Sequence, residues 1–291
     1  MQTRTGGFPI GFRRGWSEWQ QDINALIEWT KNNDLSVIDL GKNGDTEANI
    51  VRGAGLVVGS IDMAEWQGMI SADAGKRAEA IAQNSEYVRA CANPDGSPTN
   101  FFQVMLPENP ELSRSENFGY MVESYNELSS VLEENNGRMV IEGWPGPGAL
   151  CCTPEGYRAL FEQCPSPSIG VNYDPSHLVR MGIDPIRFLG EFMDRVYHVH
   201  GKDTEILEDA QYEYGTEQPA TFAKPIWFGA HHWRYTIPGQ GNIRWVKIFE
   251  MLAEHGYNGA VSIELEDANF NGSTETEQQG LLLGAAYLAG C

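Results

Sequence analysis

The chain has 291 residues, 41% of them hydrophobic, which is long for one sandwich or bundle, ordinary for a single α/β barrel and ample to bury a core. Twenty Lys and Arg against 40 Asp and Glu leave a formal charge of −20; without a local basic stripe that charge repels a polyanion, so nucleic acid is not expected as a partner. No apolar run approaches the ~20 residues that span a bilayer, and the opening "MQTRTGGFPIGFRRG" lacks the apolar segment of a secretory signal, so no membrane association and a cytoplasmic enzyme are expected.

Strand-like and helix-like segments alternate from end to end with no low-complexity linker, and residues 1–291 therefore read as one domain. Short apolar runs bounded by turn residues predict strands at 8–14 (FPIGFRR), 35–40 (LSVIDL), 55–61 (GLVVGSI), 100–106 (NFFQVML), 138–144 (RMVIEGW), 169–174 (IGVNYD), 196–201 (VYHVHG) and 259–265 (GAVSIEL). Helix starts are expected at Ser17 with Gln20 as a capping box, at Thr153 before Pro154, at Asp184 before Pro185, and at Thr274 with Glu277. Ile23, Leu26 and Ile27 recur at helical spacing, as do Trp245, Ile248, Phe249 and Leu252 ahead of Gly256, a C-terminal cap. Eight strand–helix units predict an α/β fold, a single (β/α)8 TIM barrel of parallel strands. A doubly wound open sheet is the alternative, weakened because the turn after the first strand, "RRGWSEW", has no GxGxxG for a dinucleotide.

Between the seventh strand and its helix, Asp203 to Asn242 form a long loop, beyond the ~12–15 residues usual in a compact domain. It carries Tyr212, Tyr214, Phe222, Trp227, Phe228, Trp233 and Tyr235, which suit a lid over the barrel mouth and equally a satellite core or a subunit interface. The five cysteines, Cys91, Cys151, Cys152, Cys164 and Cys291, have no CxxC spacing and read as reduced thiols.

TIM barrels place their chemistry at the C-terminal ends of the strands. Titratable residues gather there on the last four: Glu142 ends "RMVIEGW", Asp174 ends "IGVNYD", His200 ends "VYHVHG", and Glu264 lies late in "AVSIELED". Side chains two apart on a strand share a face, so Asn172 accompanies Asp174, His198 accompanies His200 and Glu266 accompanies Glu264, each a supporting neighbour. Three carboxylates and an imidazole form a hard, oxygen-rich donor set suited to Mn²⁺, Mg²⁺ or Co²⁺, with Zn²⁺ a further option. Taken singly, a strand-end Glu is often a solvated charge and a lone His is often structural; four successive strands ending in ligand-type residues point instead to a metal site. Lys202 in "HGKD" could neutralise a phosphate or carboxylate on a substrate, or pair with Asp203 or a neighbouring loop acid. His231 and His232 lie in a loop and carry no assignment.

"VIEGWPG", "VNYDPSHL", "HVHGKD", "RYTIPGQGNIRW" and "GAVSIELED" resemble the signature segments of the xylose isomerase-like TIM barrel superfamily, in its sugar phosphate isomerase/epimerase branch with ketose 3-epimerases and inosose dehydratase. The resemblance spans the barrel and is sharp from about residue 138 onward. It implies metal ligation by Glu142, Asp174, His200 and Glu264, with His177 and Arg234 contacting substrate. It also favours Glu264 over Glu266 as the ligand, at the first acidic position of the segment.

The implied activity is isomerisation or epimerisation of a sugar or sugar-phosphate ketose, with Glu142 and Glu264 as the acid–base pair on a small-molecule substrate, and it leaves room for a homo-oligomer. A proton beside a carbonyl is too weakly acidic for a free carboxylate, whereas a divalent cation on the carbonyl oxygen stabilises the enediolate. Dehydration of a keto-polyol uses similar parts. Two readings rank lower. A barrel like the apurinic-site endonuclease would draw histidines from early strands, but all six histidines lie at or beyond His177. A non-catalytic sugar-binding barrel has no motif in its favour.

Overall fold

Runs rich in Val, Ile and Leu, buried on both faces, suit parallel strands covered by helices, and the chain uses eight of them to close a sheet on itself. The computed structural model describes residues 1–291. Its strands are β1 (Ile10–Arg13), β2 (Val37–Leu40), β3 (Val57–Asp62), β4 (Thr99–Val104), β5 (Gly137–Glu142), β6 (Ile169–Tyr173), β7 (Val196–Gly201), β8 (Asp203–Ile206), β9 (Trp233–Thr236) and β10 (Val261–Ile263). The closed barrel runs β1-β10-β7-β6-β5-β4-β3-β2, and β8 with β9 forms a separate two-stranded antiparallel sheet. All eight expected barrel strands are present, with ends that differ from the expected ones by no more than two residues. The stretch after β7 differs from the expected loop: it contains β8, the helix Glu208–Tyr214 and β9. Alternating Thr204, Ile206, Trp233 and Tyr235 supply the β-branched and aromatic residues that a short antiparallel pair needs. No helix is long and apolar enough to cross a membrane.

Two expected helix starts shift. Ser17 and Gln20 form no capping box: Gln20 Oε1 accepts from Gly15 N at 2.6 Å, and Ser17 Oγ donates to Glu277 Oε1 at 2.7 Å. The helix Ile23–Asn32 is capped by Asp22, whose side chain accepts from Asn24 N and Ala25 N. The last helix, Thr274–Gly290, is capped by Ser273, one residue before Thr274. Thr153 and Asp184 cap as expected, accepting from Gly156 N and from Ile186 N. Gly256 follows the helix Trp245–Glu254 with φ +76°, a left-handed turn that glycine adopts at no steric cost.

The chain sorts into two compact units, Met1–Ile38 with Asp174–Glu191 and Val199–Cys291, and Asp39–Tyr173 with Phe192–His198. In the first, Phe8 meets Phe249 and Tyr257 edge-on at centroid distances of 5.9 and 5.2 Å, and Trp245, Ile248, Phe249 and Leu252 are fully buried. In the second, Phe102, Val104, Val140 and Ala149 form a cluster covered by Trp66, Leu106, Trp144 and Tyr197. Truncating a buried aromatic of this kind costs about 3–5 kcal/mol. A Cβ on Gly11 would lie 2.0 Å from Val37 O, so only glycine permits that backbone approach. All five cysteines are buried free thiols, and burial pushes the Cys91 thiol up to about 12.

Candidate functional site

Proline at the first helical position together with an Asp cap turns the chain sharply at the end of β6. Asp174 caps the helix Pro175–Arg180: its Oδ1 accepts from Ser176 N at 2.8 Å and from Ser176 Oγ at 2.6 Å. With Oδ1 so fixed, the buried Oδ2 carries no hydrogen bond and faces Lys202 Nζ at 3.2 Å. A capping residue thereby becomes a ligand-type residue.

The neighbouring strands bring up the other donors. In the register of β5 and β6, Glu142 pairs with Asn172, and Asn172 Nδ2 donates to Glu142 Oε2 at 2.8 Å. Glu142 is only 3% exposed. In the register of β10 and β7, Ser262 lies beside His200 and Ile263 beside Gly201, so Glu264 and Lys202 emerge together past the strand ends. Glu264 Oε1 pairs with Arg13 Nε at 3.2 Å, its Oε2 accepts from Lys202 Nζ, and His200 Nδ1 stands 3.6 Å from that oxygen. Glu142, Asp174, His200 and Glu264 thus each offer one ligand atom, all within 4.8 Å of one another.

Lys202 is 1% exposed and holds an ammonium among these acids, with Glu266 Oε2 at 3.0 Å and the Tyr235 ring centroid at 4.6 Å. Of the two readings of Lys202, pairing with Asp203 is not what forms; its acids are Asp174, Glu264 and Glu266. Burial pushes the Glu266 carboxyl above the ordinary range and Glu264 adds to this, while Lys202 opposes it. His177 Nδ1 lies 2.6 Å from the Tyr235 hydroxyl, which also accepts from Arg180 Nη1 at 2.6 Å, and His177 Nε2 lies 3.5 Å from Asp174 Oδ2. Burial pushes the Tyr235 phenol up, so it stays a neutral hydroxyl.

Residues 25–288 match the family pattern of the xylose isomerase-like TIM barrel. The chain belongs to that family. It is 30% identical over 159 residues to inosose dehydratase of Clostridium tetani (strain Massachusetts / E88), covering 55% of this chain and 50% of the relative, so the chain spans about half the length of the curated relatives it matches. Two solved structures share the fold. The 3-keto-D-glucoside 4-epimerase YcjR from E. coli aligns with a TM-score of 0.69 at 14% identity, over 98% of this chain and 100% of that one. D-psicose 3-epimerase from Clostridium cellulolyticum H10, solved with D-tagatose, aligns with a TM-score of 0.68 at 16% identity, over 97% of this chain and 100% of that one.

Not every expected residue joins the site of this xylose isomerase-like barrel. Arg234, on β9, donates through Nε to Glu205 Oε2 at 2.7 Å and lies 3.4 Å from Asp267 Oδ1, so it braces the β8–β9 pair. His198, by contrast, stays beside the site: its Nε2 lies 2.7 Å from Asp39 Oδ2, both fully buried, and ligand atoms of Asp39, His198 and His200 lie within 4.8 Å of one another. Asp203 collects the "PGQGNI" turn: its carboxylate accepts from Thr204 N at 2.8 Å, Gly239 N and Ile243 N at 3.1 Å, and Trp245 Nε1 at 3.3 Å. A Cβ on Gly241 would sit 2.2 Å from Asp203 Oδ1, which is why glycine stands there. Despite these donors, burial raises the Asp203 carboxyl to about 6.

Sequence reasoning missed Arg13 and Asp39 and left Tyr235 as a loop aromatic. Arg13 is the last residue of β1 and obeys the same strand-end rule as the acids, so the signal was available. Asp39, inside "LSVIDL", was visible only as a charge in an otherwise apolar strand.

Proposed function

We propose that this chain is a divalent-metal-dependent isomerase or epimerase that moves a proton at the carbon beside the carbonyl of a ketose sugar or sugar phosphate. The observation that carries the reading is the buried set Glu142, Asp174, His200 and Glu264, with ligand atoms within 4.8 Å of one another. The residues fit a cation. Three carboxylates supply hard oxygen donors, Asp174 Oδ2 is buried without a hydrogen bond, and an ammonium already sits against the cluster. Glu142, Asp174, His200 and Glu264 would hold Mn²⁺, Mg²⁺ or Co²⁺, which as a Lewis acid supplies stabilisation of negative charge on the carbonyl oxygen.

The chain's own residues do the rest. Glu142, oriented by Asn172, and Glu264, oriented by Arg13, stand on separate strands and serve opposite faces of the reacting carbon. One carboxylate takes the proton to leave an enediolate, and the other returns a proton, inverting or relocating the centre without a redox cofactor. Lys202 and His177 offer donors to substrate oxygens, and the Tyr235 hydroxyl orients the His177 ring. A second reading has the likeness to inosose dehydratase in its favour: after the same proton abstraction, a β-hydroxyl leaves with a proton from His177 or Lys202, giving dehydration of a keto-polyol.

The test is turnover in D₂O with Mn²⁺ and a panel of free and phosphorylated ketoses, followed by NMR. A product with deuterium at the altered carbon is expected, with exchange lost in Glu142→Gln and in Glu264→Gln. An epimer or isomer formed without deuterium contradicts the scheme and indicates hydride transfer. An unsaturated or deoxy product selects the dehydratase.

A further inference from the structure

Beside Glu264 and Glu266 a cleft opens along the chain that follows β1, past Arg13, Gly15, Trp16 and Asn271. A second cleft of about 370 Å³ shares Trp16, Ser17 and Asn271 with the first and ends on Trp227 and Phe228, a size within the ~300–1,000 Å³ of ligand pockets. The shared residues set the second cleft next to the first, whose lining reaches Glu264 and Glu266.

The outer cleft has walls of a particular chemistry. Trp16 is 81% exposed and Trp227 57% exposed, while Trp227 and Phe228 are stacked with centroids 4.5 Å apart and planes 27° apart. Large aromatic faces left in solvent beside a polar centre are the usual partners of the C–H faces of a sugar ring. Phe228 has φ +55°, a conformation rare for a bulky residue, and Tyr235 N donates to its carbonyl at 2.9 Å. The turn is therefore held in a strained form that displays the aromatic pair.

The floor is polar and rigid. Glu277, buried beneath, accepts from Ser17 Oγ and from Trp19 Nε1, each at 2.7 Å, while Arg14 Nε donates to Gln20 O at 2.7 Å. The loop bearing Trp16 is thus fixed before a ligand arrives, which lowers the entropic cost of binding. No Lys or Arg lines the outer cleft, and Glu18 and Glu277 do. A phosphate would meet repulsion there; a neutral ring with hydroxyls would not.

We propose that the outer cleft is a second sugar subsite, and that the substrate of the reaction proposed above is a neutral glycoside, with its keto-sugar ring at the acidic centre and its second ring against Trp16, Trp227 and Phe228. This deepens that reading and rests on it for the inner ring alone.

The test is calorimetric titration of the full chain with D-fructose, D-fructose 6-phosphate and two ketose disaccharides, lactulose and turanose, with Mn²⁺ binding measured on the same samples. At least one disaccharide is expected to bind about tenfold tighter than D-fructose, the gain of one added aromatic-stacked ring. Trp16→Ala and Trp227→Ala should each abolish that gain and leave D-fructose unchanged. Phe222→Ala, 97% exposed and outside the cleft, should keep it. The subsite is overturned if neither disaccharide outbinds D-fructose, if D-fructose 6-phosphate is preferred to both, or if the gain survives the tryptophan substitutions. No gain in the wild type with Mn²⁺ still bound refutes the subsite alone; a wild-type gain without Mn²⁺ binding refutes the metal-dependent reaction and leaves the subsite standing.

Discussion

Replacing Lys202 by Met keeps the apolar stem and removes one buried positive charge from among three carboxylates. With Asp174 Oδ2 at 3.2 Å and Glu266 Oε2 at 3.0 Å, each pair contributes about 5 kcal/mol of gross attraction at an effective dielectric near 20. Desolvation offsets much of this, and breaking a buried pair from one side costs about 3–5 kcal/mol net, because the remaining charges stay buried and unpaired. Urea unfolding of Lys202→Met at neutral pH in the presence of EDTA should therefore show a deficit of about 3–5 kcal/mol against the wild type. Lys202 opposes the upward shift of Glu266, so its removal raises that carboxyl further. A raised folded-state carboxyl favours the folded state at low pH and loses that contribution as pH rises through it, so the deficit should shrink on acidification. Added Mn²⁺ should restore part of the stability by replacing the lost charge. A deficit below about 1 kcal/mol in EDTA, the scale of a surface pair, would refute the reasoning.

Asp203, raised to about 6 from 3.8, makes a contribution that is fully present below pH ~4 and lost as pH climbs to ~6, on the order of 3 kcal/mol. Comparing urea midpoints of the wild type and Asp203→Asn from pH 4 to pH 7 should show the wild type losing ground against the variant over that window; parallel profiles would count against it. Glu277→Ala releases Ser17 Oγ and Trp19 Nε1, and loss of hydrogen bonds to a charged acceptor, about 1.5–3 kcal/mol each, should lower Tm and speed proteolysis within residues 14–21; an unchanged Tm would mean that the loop is held otherwise.

The barrel was legible because its strands are short β-branched runs set at regular intervals, and the strand-end rule was enough to group the four residues whose ligand atoms the fold brings within 4.8 Å of one another. Strand-end position singles out Glu142, Asp174, His200 and Glu264, parity sets Asn172 on the face of Asp174, and the family resemblance alone separates Glu264 from Glu266. What sequence could not supply was partnership over long separations. Ser17 has the composition of a helix cap, yet its hydroxyl is taken by Glu277, 260 positions away. Lys202 reads as a strand-end surface charge until the closure of β1 on β10 and of β10 on β7 buries it among acids. Arg234 looked free for substrate because nothing in "HHWRYTIPG" announces that β9 pairs with β8 and sets Glu205 opposite it. The segment after β7 was read as a loop because its strands are four residues each and lie among glycines and prolines.

The central claim is that the three acids and one imidazole at the strand ends hold a catalytic cation, and metal content tests it most directly. Wild type, Glu142→Gln and Asp174→Asn would each be dialysed against Mn²⁺, desalted and measured by plasma mass spectrometry beside circular dichroism. The expected result is one Mn²⁺ per wild-type chain and little in either folded variant; wild-type occupancy in both variants, or no Mn²⁺ in the wild type, would contradict it.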